Sequence, residues 1–271
     1  KWCLFRMMFA SGVVKLTSRC PTWWGLTALP LHYESQCIPT PLAWFAFQFP
    51  DLVQKLSVVS TYLIEITLTF LFFAPTKTLR KFTFFHQVFL MITIMATGNY
   101  NFFNLLFIGL CISLMDDTWF SGGGGERSSP SSFVVARFVS TFNTLVFLAV
   151  GYITARYFFV VKTDPSLTIE PQLRFSEAQF EEFVARSTPI SIVIGAIGLA
   201  FAGLMAVYKS FAFEYRWLDK LKSFVWTLWY LAVGVILFGI SVPEFSRGLG
   251  VQTPRWVPKE FVDLHRQLNQ Y

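Results

Sequence analysis

Two long stretches without charge constrain the fold of this chain more than any other feature. Residues 187–208 and 223–243 contain no ionisable side chain apart from tyrosine. About 20 apolar residues in a helix cross a hydrocarbon layer ~30 Å thick, since each residue adds about 1.5 Å. Both stretches are therefore predicted to be transmembrane helices.

The remainder of the chain is also too apolar for a water-soluble domain. Charged residues make up 14% of it and hydrophobic residues 54%, whereas soluble domains carry about 25% charged residues. We predict an all-α fold, a polytopic transmembrane helical bundle of about six to seven spans with lumenal loops. The predicted spans are residues 1–16, 52–74, 82–97, 102–115, 133–160, 189–208 and 223–243.

Two of these assignments leave alternatives open. Residues 82–97 and 102–115 are short, and they are either two tight spans, which we favour, or one re-entrant hairpin whose turn is buried by protein. The chain also starts inside an apolar pattern, without an initiator methionine. We therefore expect it to be a fragment of a longer chain, with its first helix cut.

Basic residues in the loops predict the orientation. If residues 17–51 lie outside the cytosol, the loops on the cytosolic side carry eight Lys and Arg residues and the opposite loops carry four, as the positive-inside rule favours. The predicted regions are a first membrane region at 1–115 with lumenal loop 17–51, a flexible cytosolic linker at 116–132, a second membrane region at 133–243 with lumenal amphipathic segment 161–188, and a lumenal C-terminal segment at 244–271.

Composition and motifs argue against several functional classes. The net charge of +6 resides mainly in short loops beside apolar runs, so we expect membrane lipids rather than nucleic acid as the partner. The sequence has no Gly-x-Ser-x-Gly, no His-Glu-x-x-His and no Cys-x-x-Cys. We therefore predict no catalytic residue, no cofactor and no metal site.

Two cysteines bracket the aromatic loop. Cys20 and Cys37 lie near the ends of loop 17–51, where an oxidising lumen would permit a disulfide. We predict that they pair; two separate thiols are the alternative.

A set of polar residues falls inside or beside the apolar runs. Glu65 lies within the predicted span 52–74, and a carboxylate that faced lipid would be costly. We expect Glu65 to face protein or a water-filled cavity and to pair with a base, in a structural contact rather than a catalytic one. The candidate bases are His86, the nearest in sequence, and Arg6, Arg137 and Arg156. The predicted intramembrane polar network consists of Glu65, His86, Asn99, Asn101, Asn104 and Arg137.

Several long motifs lie within roughly residues 1–117. They are Gly12-Val13-Val14-Lys15-Leu16, Trp23-Trp24-Gly25-Leu26-Thr27, His32-Tyr33-Glu34-Ser35-Gln36, Pro39-Thr40-Pro41, Gly98-Asn99-Tyr100-Asn101-Phe102-Phe103-Asn104-Leu105-Leu106 and Asp116-Asp117. Together these motifs resemble the lipase maturation factor family, and their sequences are most similar to its second member.

The resemblance implies a multi-pass protein of the endoplasmic reticulum membrane that is not an enzyme. It implies help in the folding, assembly and transport of secreted proteins such as lipoprotein lipase. Loop 17–51 would then contact the client through Trp23, Trp24, His32, Tyr33 and Glu34.

Two alternatives remain open at this point. A distant similarity to the membrane domain of vitamin K-dependent carboxylase keeps a membrane enzyme or lipid-handling protein open, with a polar cavity around Glu65 and His86. The other alternative is a subunit that docks other endoplasmic reticulum membrane proteins.

Overall fold

The structure is a computed structural model that describes residues 1–98, 102–116, 130–162, 168–212 and 216–268. Helices dominate these ranges, with one short β-hairpin, so the predicted all-α membrane fold is confirmed. The elements in chain order are α1 (Trp2–Thr17), α2 (Pro21–Trp24), α3 (Ala28–Ser35), α4 (Pro41–Phe47), α5 (Asp51–Tyr62), α6 (Lys77–Gly98), α7 (Phe102–Cys111), α8 (Pro130–Phe158), β1 (Phe159–Lys162), β2 (Thr168–Pro171), α9 (Glu177–Ala212), α10 (Trp217–Gly248) and α11 (Lys259–Leu268).

Within the described ranges, four helical stretches are long and apolar enough to cross a membrane. They are Asp51–Phe73, Val134–Phe158, Glu177–Ala212 and Trp217–Gly248. The first joins α5 to a π-helical turn at Leu63–Thr67 and a 3₁₀ turn at Leu68–Phe73. The other three predicted spans correspond to α1, α6 and the shorter apolar helix Phe102–Leu114.

Two predicted features fall wholly or mostly outside the described residues. Residues 99–101, where the sequence predicts a turn, lie between α6 and α7, and most of the predicted linker 116–132 lies between α7 and α8. On either side of the first gap, α6 and α7 pack side by side as two distinct helices.

Contacts divide the chain into two compact units, and the first comprises residues 1 and 3–180. Much of helix α1 is buried in the described structure. Its Phe5 and Phe9 are fully buried and their rings stack on each other with centroids 5.3 Å apart. Phe70, in the 3₁₀ turn, packs edge-on against both rings. Such interdigitated packing supplies the attraction between helices in a membrane, where lipid is as apolar as leucine.

The predicted amphipathic segment 161–188 differs from the observed structure. Its first part belongs to the antiparallel hairpin of β1 and β2, with Val160 opposite Glu170, because β-branched and aromatic residues at 159–161 favour a strand. Ser176 and Gln179 exchange side-chain and backbone hydrogen bonds at the start of α9, which is a capping box. From there α9 continues without a break through Pro189 into the membrane span.

The second unit comprises residues 2 and 181–271 and contains most of α9 together with α10 and α11. Glycines allow its helices to approach closely. A Cβ on Gly203 would come within 2.8 Å of Leu231 on α10, and a Cβ on Gly239 within 2.4 Å of Phe261 on α11. The imidazole of His265 on α11 is buried and lies 3.2 Å from the carboxylate of Glu244 on α10.

Candidate functional site: a buried ion pair beneath the aromatic loop

A buried ion pair joins α1 to the π-helical turn. The ammonium of Lys15 lies 2.5 Å from one carboxylate oxygen of Glu65, and the Ser11 hydroxyl donates to the other oxygen over 3.4 Å. The ammonium also donates to the Ser11 hydroxyl and carbonyl, each over 3.1 Å. Only 4% of the Glu65 side chain and 17% of the Lys15 side chain are exposed. The carboxylate is thus compensated on both oxygens, as a buried charge requires.

The sequence of α1 permits this contact through a glycine. Ser11 and Lys15 are four residues apart and therefore share one face of the helix. Gly12, on the adjoining face, lets the backbones meet, because a Cβ there would lie 2.6 Å from the Ile66 side chain and 2.9 Å from the Glu65 Cβ. A larger residue at position 12 would separate the two charges.

The π-helical turn that carries Glu65 has its own support from α6. A π turn loosens the regular ladder of backbone hydrogen bonds, and such turns often occur at functional positions. The amide of Gln87, a fully buried residue of α6, donates to the carbonyl of Ile64 over 2.7 Å. Gln87 thus binds the irregular backbone beside the carboxylate.

Trp23 packs on the ion pair, and Trp24 binds α1 beside it. The ring of Trp23 has its centroid 5.4 Å from the Lys15 ammonium, within the range of a cation–π contact. The Tyr62 hydroxyl, on α5, donates to the Trp23 carbonyl over 2.9 Å. The Trp24 indole donates to the Leu16 carbonyl over 3.0 Å. Both indoles are half-buried and bind the loop to α1 and α5.

Backbone strain at the next turn shows how firmly this loop is held. Leu26 has a φ of 58°, in the left-handed region that leucine seldom adopts, and its side chain is almost fully buried. A strained residue of this kind persists only where its surroundings determine its conformation. Loop residues 20–27 therefore present a fixed surface.

The three remaining residues that the sequence predicts to contact a client lie on α3. His32 and Tyr33 are half-buried, whereas Glu34 is exposed. Burial lowers the pKa of His32 and raises the pKa of Tyr33. Of the five residues predicted to contact a client, Glu34 is the most accessible, and the prediction as a whole stays a prediction.

The polar network expected from sequence assembles differently. Glu65 faces protein and pairs with a base, but that base is Lys15 rather than His86 or one of the three arginines considered. His86 bonds through Nδ1 to the carbonyl of Phe82, one turn back on its own helix. Pairing with a base one turn from the end of α1 was not anticipated, because position 15 sits at the edge of the predicted span.

The other predicted members of the network lie elsewhere. Arg137 is exposed on α8. Asn104 is buried on α7, and within the described ranges its amide nitrogen has no hydrogen-bond partner. Asn99 and Asn101 fall outside the described residues.

The predicted disulfide is not formed in the structure. Cys20 and Cys37 are both free thiols. The sulfur of Cys20 lies 3.1 Å from the hydroxyl of Thr22. Hydrogen bonds with this hydroxyl and with the backbone of Thr22 and Trp23 lower the pKa of the Cys20 thiol. The Cys37 side chain is exposed.

A second polar cluster lies at the start of α6, and it was not predicted from the sequence. The guanidinium of Arg80 lies 2.5 Å from the carboxylate of Asp116 and donates to the carbonyls of Ala74 and Pro75. The turn at Ala74 and Pro75, before α6, is thereby fixed to Asp116, which lies just after the 3₁₀ turn Ile112–Leu114. Its signal in the sequence was the pair of basic residues at the start of α6.

The chemistry available at the ion pair is limited by its partners. Both carboxylate oxygens of Glu65 are taken by Lys15 and Ser11. Within the described parts of the chain, no group of three or more His, Cys, Asp or Glu residues could hold a metal ion. The arrangement is suited to fixing a loop on a helix bundle.

Comparison with known proteins gives a consistent result. Residues 1–122 match the sequence model of the lipase maturation factor transmembrane domain. Lipase maturation factor 2 of Xenopus tropicalis is 41% identical over 97% of this chain, and the human protein of that name is 42% identical over 91%. Lipase maturation factor 1 of Bos taurus is 29% identical over 45% of this chain and 21% of its own length.

The matched region is a part of these relatives. The chain spans 36% of the length of the Xenopus tropicalis and human proteins. No solved structure matches the chain significantly.

Proposed function

Since the chain belongs to the lipase maturation factor family, we propose that it is the membrane region of an endoplasmic reticulum maturation factor that presents a lumenal surface to folding secreted proteins such as lipoprotein lipase. The proposal assigns client contact to the loop above the Lys15–Glu65 pair. It assigns no chemical step to the membrane region.

The observation that carries this proposal is the fixed attachment of the aromatic loop to the bundle. Lys15, Trp23 and Tyr62 form a continuous set of contacts from the buried carboxylate to the loop backbone. A preformed surface binds a partner without first losing conformational freedom, which favours affinity for incompletely folded clients. The distribution of basic loop residues supports a lumenal position for this surface.

The alternative of a catalytic or lipid-handling cavity around Glu65 and His86 receives no support from their contacts. The carboxylate is bound by Lys15 and Ser11, and the His86 ring is bound by the backbone of α6.

Photo-crosslinking in sealed microsomes tests the proposal. The full-length protein would carry a photoreactive amino acid at Glu34, which is exposed on α3, or at Lys81, which is exposed near the other end of α6. Gln36 bonds to the carbonyl of Thr97, so about 24 Å of helix separates the α3 end of α6 from Lys81, at 1.5 Å per residue. The matched control therefore reports the opposite side of the membrane.

We expect co-expressed lipoprotein lipase to be captured from position 34 and not from position 81. Capture from position 81 alone would reverse the proposed orientation. If neither position captures the lipase while the full-length protein still restores lipase secretion to cells that lack it, the loop is not the contact surface.

A further inference from the structure

The second half of the aromatic loop carries no charged residue. It contains a helix, α4, that buries its small side chains and exposes its large apolar ones. Between Glu34 and Asp51 there is no Asp, Glu, Lys, Arg or His. Within this stretch α4 buries its two alanines, Ala43 and Ala46, against the rest of the protein. Its large side chains point outward. We call the outward set the α4 apolar face: Leu42 (54% exposed), Trp44 (63%), Phe45 (59%), Phe47 (36%) and Phe49 (56%).

Hydrogen bonds fix α4 at the last turn of α6. The Thr40 hydroxyl, which also caps the start of α4 by accepting from the Ala43 backbone, donates to the carbonyl of Ala96 over 2.6 Å. The Gln36 amide donates to the carbonyl of Thr97 over 2.7 Å. At the other end of α4, the buried Gln54 amide donates to the Ala46 carbonyl over 2.6 Å. The helix therefore sits at a defined height, level with the end of a helix in the membrane region.

The neighbouring surfaces at this height are also apolar. Helix α7 begins four residues after α6 ends and exposes Phe102 (74%) and Leu105 (60%). The first turns of the membrane-crossing stretch Asp51–Phe73 expose Leu52 (51%) and Leu56 (36%). The α4 apolar face thus continues the outward apolar surface of α7 and of Asp51–Phe73, a stretch whose length and composition suit it to lipid.

We propose that the α4 apolar face is immersed in the bilayer leaflet on the side of loop 17–51, with its aromatic rings at the boundary between headgroups and acyl chains. Tryptophan and other aromatic side chains favour this depth. The charged residues that bracket the segment, Glu34 and the Asp51–Lys55 ion pair, then lie at the level of the headgroups. Small residues face the protein and large apolar residues face outward, which is the pattern expected when lipid, rather than water, is the solvent.

The proposal divides the loop by function. Residues 36–50 contact lipid, and the part open to the lumen is confined to residues 17–35. This division does not depend on the identity of any client, because it concerns the solvent of α4 alone.

Lipid-borne photolabelling tests the immersion directly. The full-length protein would be placed in phosphatidylcholine nanodiscs in which some lipids carry a diazirine near the glycerol end of the acyl chain. We expect adducts on Trp44 and Phe45 as frequently as on the exposed residues of α8, such as Phe138. Residues 31–34, which belong to the same loop, are the matched control and should be labelled less than Trp44 and Phe45. Label on α8 without label on residues 42–49 overturns the proposal.

A second measurement distinguishes lipid from a protein occupant. A photoreactive amino acid at Phe45, with Leu31 as the control position on α3, would be activated in native microsomes that contain all neighbouring membrane proteins. Lipid adducts at position 45 support the proposal. A protein adduct at position 45, whether with a client or with a membrane neighbour, refutes it.

Discussion

Replacement of Lys15 by methionine tests how the structure balances its buried charge. Methionine keeps the length and apolar stem of lysine but leaves the Glu65 carboxylate without its cation. Two unit charges about 4 Å apart attract by about 4 kcal/mol at an effective dielectric constant of ~20, and the Lys15–Glu65 contact, at 2.5 Å, is closer than that. The desolvation of two charges offsets much of this, so the pair itself contributes little net stability.

Removing one partner of the ion pair should cost more stability than removing both. Because the Glu65 side chain is only 4% exposed, Lys15→Met should cost about 3–5 kcal/mol of unfolding free energy, the usual effect of stranding a buried charge. Glu65→Met should cost less, about 2–3 kcal/mol, because the Lys15 ammonium that it leaves unpaired is the more exposed partner, at 17%. The double variant Lys15→Met/Glu65→Met should lie within about 1–2 kcal/mol of the native protein, since an apolar pair of similar volume avoids both desolvation penalties.

Equilibrium unfolding of the four proteins in the same mixed micelles measures this coupling. The double-mutant cycle should give an interaction energy of about 3–7 kcal/mol, because the two single effects together exceed the effect of the double variant by that amount, and independent sites would differ by only ~0.5 kcal/mol. The Arg6→Met variant, which changes a base on the same helix outside the pair, controls for loss of charge from α1. If the two single effects simply add, the ion pair is not the coupled unit described here.

Three further predictions follow from the same region. Gly12→Val should destabilise the protein by about 1–3 kcal/mol because its side chain would overlap the π-helical turn. Gly109→Ala, with open space around its Cβ, should be neutral in the same unfolding assay. Equal effects of the two substitutions would contradict the close approach of α1 to the π-helical turn. Gln87→Leu should cost about 1–3 kcal/mol by leaving the Ile64 carbonyl unpaired, and unchanged stability in Gln87→Leu would show that the π turn needs no support. Burial lowers the pKa of His32, so the folded state binds the proton less readily than the unfolded one: stability should be complete above about pH 6.5 and fall as pH drops through the folded pKa, a slope that His32→Gln should abolish.

The helices could be predicted from sequence, and the reason is general. The lipid layer leaves few solutions for an uncharged stretch of some 20 residues, so length and composition identify a helix such as α10 without knowledge of its neighbours. The exact limits were harder to predict. The boundary between residues 188 and 189 lies inside α9, because Glu177–Arg186 continues the helix with polar residues on part of its surface.

The polar contacts could be predicted only in part. That Glu65 faces protein follows from the cost of a charge in lipid. Its partner does not follow, because Lys15 is 50 residues away and the contact depends on Gly12 and on a local π turn. Periodicity reports the face of a regular helix and carries no information about a turn with an extra residue.

The separation of Lys15 and Glu65 along the chain has a consequence for biosynthesis. Lys15 leaves the ribosome 50 residues before Glu65, so α1 is available at the translocon when the acidic helix arrives. A lone carboxylate adds roughly 2.5–3.5 kcal/mol to the insertion of a helix when it lies near its centre, and an ammonium already held in a neighbouring helix would reduce that barrier. Insertion of the helix that carries Glu65 should therefore be more efficient when α1 precedes it than when it is presented alone, and the dependence should vanish with Glu65→Leu.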